Sequence, residues 1–145
     1  MLVNFQTVKN IPKIVLYNPN NGREFRMLDT QTGKYIGEMS VAYEKRTDLY
    51  IEKLVIEKSE RGKGYGRKFL DFAKNLSKKL NFGGNMRVMA AALMEGDFIP
   101  PHIFYRKYGF TTDNKEILNK IDNCIKEKKQ LTIKDAPITY MTYTA

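Results

Sequence analysis

At 145 residues with a net charge of +9, 42% hydrophobic and 12% aromatic content, the chain has apolar material for one core and is too apolar for a disordered segment. Its single cysteine, Cys124, excludes an internal disulfide and fits a reduced thiol in a cytoplasmic protein. No apolar run approaches the roughly 18 residues of a membrane span, and the start Met-Leu-Val-Asn-Phe-Gln lacks the basic and apolar regions of a secretory leader.

Taken in order, residues 1–22 form a lead-in broken by Pro12, with one short strand near Ile14–Tyr17 before the turn cluster Asn18-Pro-Asn-Asn-Gly22. Residues 23–29 and 34–43 carry strand-like apolar positions (Phe25, Met27, Ile36, Met39, Val41) around Thr30-Gln-Thr-Gly33, which predicts an antiparallel hairpin. Asp48–Glu57 is the next strand. A helix over about 65–80 follows, because Phe69, Ala73, Leu76 and Leu80 recur at helical spacing. Gly83-Gly84 stops it. Asn85–Leu93 reads as a largely apolar, interior strand. Pro100-Pro101 opens a short helix that ends at Gly109, and Phe110-Thr-Thr112 begins another strand. Asp113-Asn-Lys-Glu116 has the spacing of a helix cap with its reciprocal acid. The helix behind it, to about Lys129, aligns Ile117, Ile121, Cys124 and Ile125, and Ile138–Tyr143 alternates as a closing strand. No repeat, low-complexity tract or linker appears, so residues 1–145 are expected to make a single α+β domain on a mixed, mostly antiparallel sheet.

The most informative stretch is Leu54–Leu70, an apolar strand entering Arg61-Gly-Lys-Gly-Tyr-Gly-Arg67 and then a helix. Glycines at such a turn let main-chain N–H groups converge on an anion, and the helix start adds unpaired N–H groups and partial positive charge. Between Arg61 and Lys79 lie seven basic residues against one acid, Asp71. The pattern predicts a diphosphate cradle. A Walker A loop is excluded, since no G-x-x-x-x-G-K-[ST] run exists. A dinucleotide fingerprint fails too, because Gly66 comes one residue too early after Gly62 and Gly64, and no acid follows in Phe82–Arg87. Lys74 and Lys78, further along, read as a solvated helix face.

The spacing [R/Q]-x-x-G-x-G, spelled here Arg61-Gly-Lys-Gly64-Tyr-Gly66, resembles the acetyl-CoA loop of the GNAT superfamily of N-acetyltransferases. Ile103-Phe-Tyr-Arg-Lys-Tyr-Gly-Phe110 resembles a second signature of that superfamily, F-Y-x-[KR]-x-G-F, and the order of elements agrees. The resemblance implies a GNAT-like sheet flanked by helices and acetyl-CoA as cosubstrate, with no metal. It implies that Leu54, Val55 and Ile56 pair with the pantetheine arm. A main-chain N–H near Ile56 would polarise the thioester carbonyl, and Arg61, Gly62, Lys63, Gly64, Tyr65, Gly66 and Arg67 would hold the pyrophosphate. Tyr105 matches the general acid that protonates the departing thiolate. Tyr50-Ile-Glu52-Lys53-Leu54 resembles a segment whose glutamate is a proposed base, which points to Glu52, on the same strand face as Leu54 and Ile56. Lys53 replaces that segment's second acid, so Glu95 and Asp97 are kept as alternative bases. His102 is read as a surface or packing histidine.

Three departures qualify the resemblance. Phe98 stands where many members carry an asparagine. Only residues 1–22 precede the second strand, where members usually place a strand and two helices that wall the acceptor site. That site is then open, or completed by a second subunit in a homodimer. The helix at 113–129 replaces a tight hairpin; it covers the acceptor site, packs on a partner or decorates the sheet edge, the last being the default expectation. The function implied is transfer of acetyl from acetyl-CoA to an amine: a small amine, a polyamine, or a lysine or N-terminal amine of a protein. A GNAT-like module that binds acyl-CoA without transfer is the alternative. A nucleic-acid-binding protein using the basic 61–79 face ranks last, since no recognition motif accompanies it.

Overall fold

The computed structural model describes residues 14–19, 22–92 and 99–145, so the alternative bases Glu95 and Asp97, and Phe98, lie outside the described residues. Six strands form one sheet in sequence order: β1 (Ile14–Tyr17), β2 (Glu24–Asp29), β3 (Tyr35–Ala42), β4 (Leu49–Ile56), β5 (Met86–Ala90) and β6 (Thr139–Tyr143). Every neighbouring pair is antiparallel except β4 and β5, which run parallel through the crossover helix α1 (Tyr65–Lys79). Two further helices, α2 (His102–Tyr108) and α3 (Lys115–Glu127), complete an α+β architecture.

One face of the sheet carries the core. Phe25, Met27, Met39, Val41, Leu49, Ile51, Met86, Val88 and Met141 are buried there under Phe69, Leu70 and Ala73 of α1. Helix α2 sits beside α1: Tyr108 Oη donates to Asp71 at 2.7 Å, and the Arg67 guanidinium lies 5.2 Å from the Tyr108 ring centre. Helix α3 packs on α2 through Arg106 and Asp122, with Nε–Oδ1 at 2.9 Å. The opposite face carries Arg26, Glu38, Tyr50, Arg87 and Tyr140 by register. Its charges are paired across strands, Lys53 with Glu38 at 2.8 Å and Arg87 with Asp48 at 3.1 Å. An antiparallel sheet tolerates such a polar, wetted face.

Several expectations change in detail. The strand predicted at Phe110–Thr112 shrinks to a bridge between Thr111 and Thr142, because the chain turns at once into α3. That helix is capped by Asn114 rather than Asp113: the Asn114 side chain accepts from the Ile117 N–H at 3.2 Å. The alternation through β4 is not regular. Val41 pairs with Ile51 and the adjacent Ser40 with Lys53, leaving Glu52 as an extra residue in a bulge. Leu54 and Ile56 thereby rejoin the face of Leu49 and Ile51, and Glu52 does not share it by simple period two. The bulge is invisible in sequence because it depends on the partner strand's register.

Phe69 is fully buried between α1 and the sheet. Phe69→Ala should lower stability by about 3–5 kcal/mol, read by urea unfolding, since a large cavity remains.

Candidate acyl-donor cleft

The parallel pairing of β4 and β5 covers Leu49–Ile51 against Met86–Val88 and extends no further. Strand β4 continues to Ile56 against β3 alone, so its far half borders an open gap. Backbone alternation fixes what faces it. The Glu57 N–H donates to the Ile36 carbonyl of β3 at 2.8 Å, which turns the main-chain groups of Ile56, and of Leu54 before it, away from β3. These are donors and acceptors that an extended arm could pair with.

At the end of β4 the chain makes a short 3-10 turn (Lys58–Glu60) and enters the glycine segment. Gly62 and Gly64 have φ of +78° and +87°, conformations that only glycine adopts cheaply. Gly64 is the residue before the first turn of α1, whose first-turn N–H groups have no intrahelical partner and whose first turn holds no acid. A Cβ on Gly66 would lie 2.8 Å from the Phe104 ring, so the small residue lets α2 approach the helix start. Arg61 Nε donates to the Ile56 carbonyl at 2.9 Å, tying the loop back to the strand that feeds it.

Glu60 was not singled out by its sequence context, yet it is only 6% exposed beneath this loop. Lys34 Nζ lies 3.0 Å and Lys63 Nζ 3.4 Å from its carboxylate. The hydrogen bond from Lys34 holds the carboxyl below its ordinary range. Lys63 is thus partly committed to Glu60, whereas Arg67 stacks on Tyr108 with its charge near the cleft.

Loop, gap and helices enclose a single cleft of about 960 Å³. Glu52 through Ile56, Arg61, Gly62, Gly64, Tyr65, Gly66 and Arg67 line it, as do Val88 and Met89 of β5 and Tyr105 and Lys107 of α2. Of the predicted site residues that the structure describes, Lys63 alone is not on this wall. Tyr105 is 5% exposed, with the Phe104 and Phe110 ring centres at 5.3 and 5.4 Å. Burial pushes its phenol well above the ordinary value, so it keeps its proton at neutral pH. Glu52 is exposed at the gap. His102 is a packing histidine: it is fully buried, its Nε2–H donates to the Pro137 carbonyl at 2.9 Å, and burial pushes its pKa down. Helix α3 also reaches the cleft, where Cys124, Ile125 and Lys128–Gln130 line it beyond α2. The helix is a wall rather than an edge decoration. Among the described residues no cluster of histidine, cysteine and carboxylate side chains could hold a metal ion, and no described helix is long and apolar enough to cross a membrane.

The profile of the family described as acetyltransferase (GNAT) domain matches residues 22–112. The chain belongs to the GNAT acetyltransferases. No curated protein matches it in sequence at a significant level. Among solved structures, a protein assigned as a streptothricin acetyltransferase from Bacillus anthracis, in complex with acetyl coenzyme A, superposes with a TM-score of 0.58 at 17% identity, covering 94% of this chain and 65% of that one. The PaiA N-acetyltransferase from Thermoplasma acidophilum, in complex with coenzyme A, gives 0.56 at 14% identity, with 84% and 60% covered. An N-acetyltransferase assignment from Lactobacillus plantarum gives 0.56 at 13% identity, with 95% and 73% covered. Identities this low show a shared fold, and the chain spans less than two thirds of both coenzyme-bound neighbours. The GNAT fold supports acyl transfer from acetyl-CoA in general.

The Glu60 tether gives a pH-dependent prediction. A carboxylate whose folded pKa is depressed adds stability above its ordinary value of 4.5, and that stability is lost as pH falls through the folded pKa. Lys34→Met should therefore lower the melting temperature at pH 7, and the difference from the parent should shrink by pH 3.

Proposed function

We propose that this GNAT protein is an N-acetyltransferase that moves the acetyl group of acetyl-CoA directly to a primary amine. One observation carries this reading: the protonated, buried Tyr105 phenol and the exposed Glu52 carboxylate line the same cleft as the glycine cradle. Acetyl-CoA enters as the acyl-donor substrate. Its diphosphate suits the N–H groups from Gly62 to Arg67 with the charges of Arg61 and Arg67, and its pantetheine arm suits the gap-facing main-chain groups of Leu54 and Ile56, with Val55 between them turned to β3.

The chemistry then assigns roles. An ordinary alkylamine has a pKa near about 10 and arrives mostly protonated, so a base must take a proton before the nitrogen attacks. Glu52, directly or through water, is placed at the gap for that task. The attacking nitrogen forms a bond to the thioester carbon, and the Ile56 N–H, turned toward the gap, stabilises the developing oxyanion. Collapse breaks the carbon–sulfur bond, Tyr105 donates its proton to the leaving thiolate, and the second proton of the acylated nitrogen passes through water to restore the phenol. A phenol raised by burial is a weak acid toward water but is well matched to a thiolate forming beside it in the same dry pocket. The acceptor is an amine of a small molecule or of a protein, and the whole chain forms one catalytic domain.

Calorimetry of acetyl-CoA on the pure protein should give a dissociation constant near micromolar, roughly −8 kcal/mol, lost in Gly64→Glu. Absence of binding in the parent would sink the enzyme reading. In an amine screen, Tyr105→Phe and Glu52→Gln should each cost about 10²-fold or more in kcat while leaving acetyl-CoA affinity within a few-fold. Unchanged turnover in both would refute the assigned roles. Because the phenol stays protonated, the rate should rise from pH 6 to 9 as the amine deprotonates, with no falling limb near a tyrosine's ordinary 10.

A further inference from the structure

A carboxylate beside an anion cradle works against the ligand that the cradle suits. Glu60 is such a group. It lines the acyl-donor cleft together with Arg61, Gly62 and Gly64, while its partner Lys63, in the middle of the glycine segment, is not on the cleft wall. A carboxylate shielded from water repels a nearby diphosphate unless a cation neutralises it. What neutralises Glu60, and how firmly, therefore bears on how tightly the cleft holds its donor.

Two lysines share the carboxylate unequally. Lys34, from the turn between β2 and β3, approaches to 3.0 Å, and the Ser59 hydroxyl donates to Oε2 at 3.2 Å. Lys63 stands 3.4 Å from both carboxylate oxygens, beyond the roughly 2.7–2.9 Å of a strong charge-assisted bond. Its side chain is 53% exposed against 8% for Glu60, so its ammonium is half in solvent already and weakly held. The glycines on either side of it, Gly62 and Gly64, both have positive φ, and a Cβ on either would meet nothing within 4 Å. Lys63 thus has open space around its loop. Lys34 instead immediately precedes β3, so its hold on Glu60 is anchored in the sheet and not in the loop.

We propose that Glu60 is a built-in competitor for Lys63 and sets the affinity of the cleft for the diphosphate of its acyl donor. This rests on the acetyl-transfer reading, which makes an acyl-CoA the ligand, and names what tunes its binding. In the free protein Lys63 rests on Glu60. A bound diphosphate takes the ammonium over, and Lys34 remains as the counterion that keeps Glu60 from repelling the ligand. The arrangement stabilises the empty loop, lowers donor affinity and lets the product coenzyme leave.

Calorimetry of coenzyme A on the full chain and its variants tests the exchange. Glu60→Gln should bind about threefold tighter or more, the scale of a partly exposed ion pair, and Lys34→Met should bind more weakly by a similar factor. The double variant Glu60→Gln/Lys34→Met should bind at least as tightly as the parent, although each single change lowers the melting temperature of the free protein. In about 1 M salt, where charges are screened within about 3 Å, these differences should collapse. A merely structural tether gives another pattern: Glu60→Gln binds more weakly, and the double variant is no better than Lys34→Met. That pattern overturns the proposal. In a Lys63→Met background the gain from Glu60→Gln should largely disappear, and an undiminished gain refutes the competition for Lys63. Pantetheine, which lacks the diphosphate, should bind all variants alike; a Glu60→Gln effect of equal size on it also refutes the proposal. Should Glu60→Gln not fold, Lys34→Met decides: a loss that salt abolishes supports the exchange, and a loss that persists overturns it. If coenzyme A fails to bind the parent, the transferase reading falls, and inorganic pyrophosphate on the same variants tests Glu60 by itself. The same order of affinities then upholds the competition, and no order or no binding overturns it as well.

Discussion

Everything in this structure that bears on chemistry depends on β4 and β5 parting after three paired residues. A parallel pair that zipped fully would bury its own main-chain groups in the ladder and leave no donor or acceptor for a ligand. Here the crossover through α1 joins them at one end only. The far half of β4 is held by β3 on one side and is open on the other. The open edge costs little because Arg61 occupies the Ile56 carbonyl and the cleft can admit water to the rest. An extended, amide-bearing arm is the natural complement of such an edge, just as a third strand would be.

The anion cradle is coupled to that opening. It lies where β4 must turn into α1, so the same few residues end the strand, start the helix and gather N–H groups. Glu60 explains how a segment so rich in lysine and arginine holds one conformation. A carboxylate under the loop, bound by Lys34 from the β2–β3 turn and Lys63 from the loop itself, offsets repulsion and anchors the turn to the sheet. The remaining positive charge is left for phosphate. On the other side of the gap, α2 contributes a phenol that burial beside Phe104 and Phe110 pushes further from ionisation than a free tyrosine.

Much of the site was legible from short-range pattern. The glycine spacing, the Tyr105 segment and the strand–turn–helix order are local features, set by backbone conformations that only certain residues adopt, and the structure reproduces them within a residue or two. Errors arose where a neighbour in space decides. Glu52 left the regular face of β4 because β3 pairs around it. The strand at Phe110–Thr112 lost out to α3, whose start competes for the same residues. The helix itself read as an amphipathic addition to the edge, and its Cys124–Gln130 end proved to wall the cleft.

The sequence by itself determined the elements, the anion-binding turn and the residue types available for acid and base chemistry, because these follow from φ preferences, hydrophobic period and side-chain chemistry along the chain. Tertiary structure alone decided where β4 and β5 separate, that Glu60 lies buried beneath the loop, that burial pushes the Tyr105 phenol up, and that Glu52 sits in a bulge of β4. Those properties arise from register, desolvation and through-space charge, and each of them is fixed by residues distant in sequence.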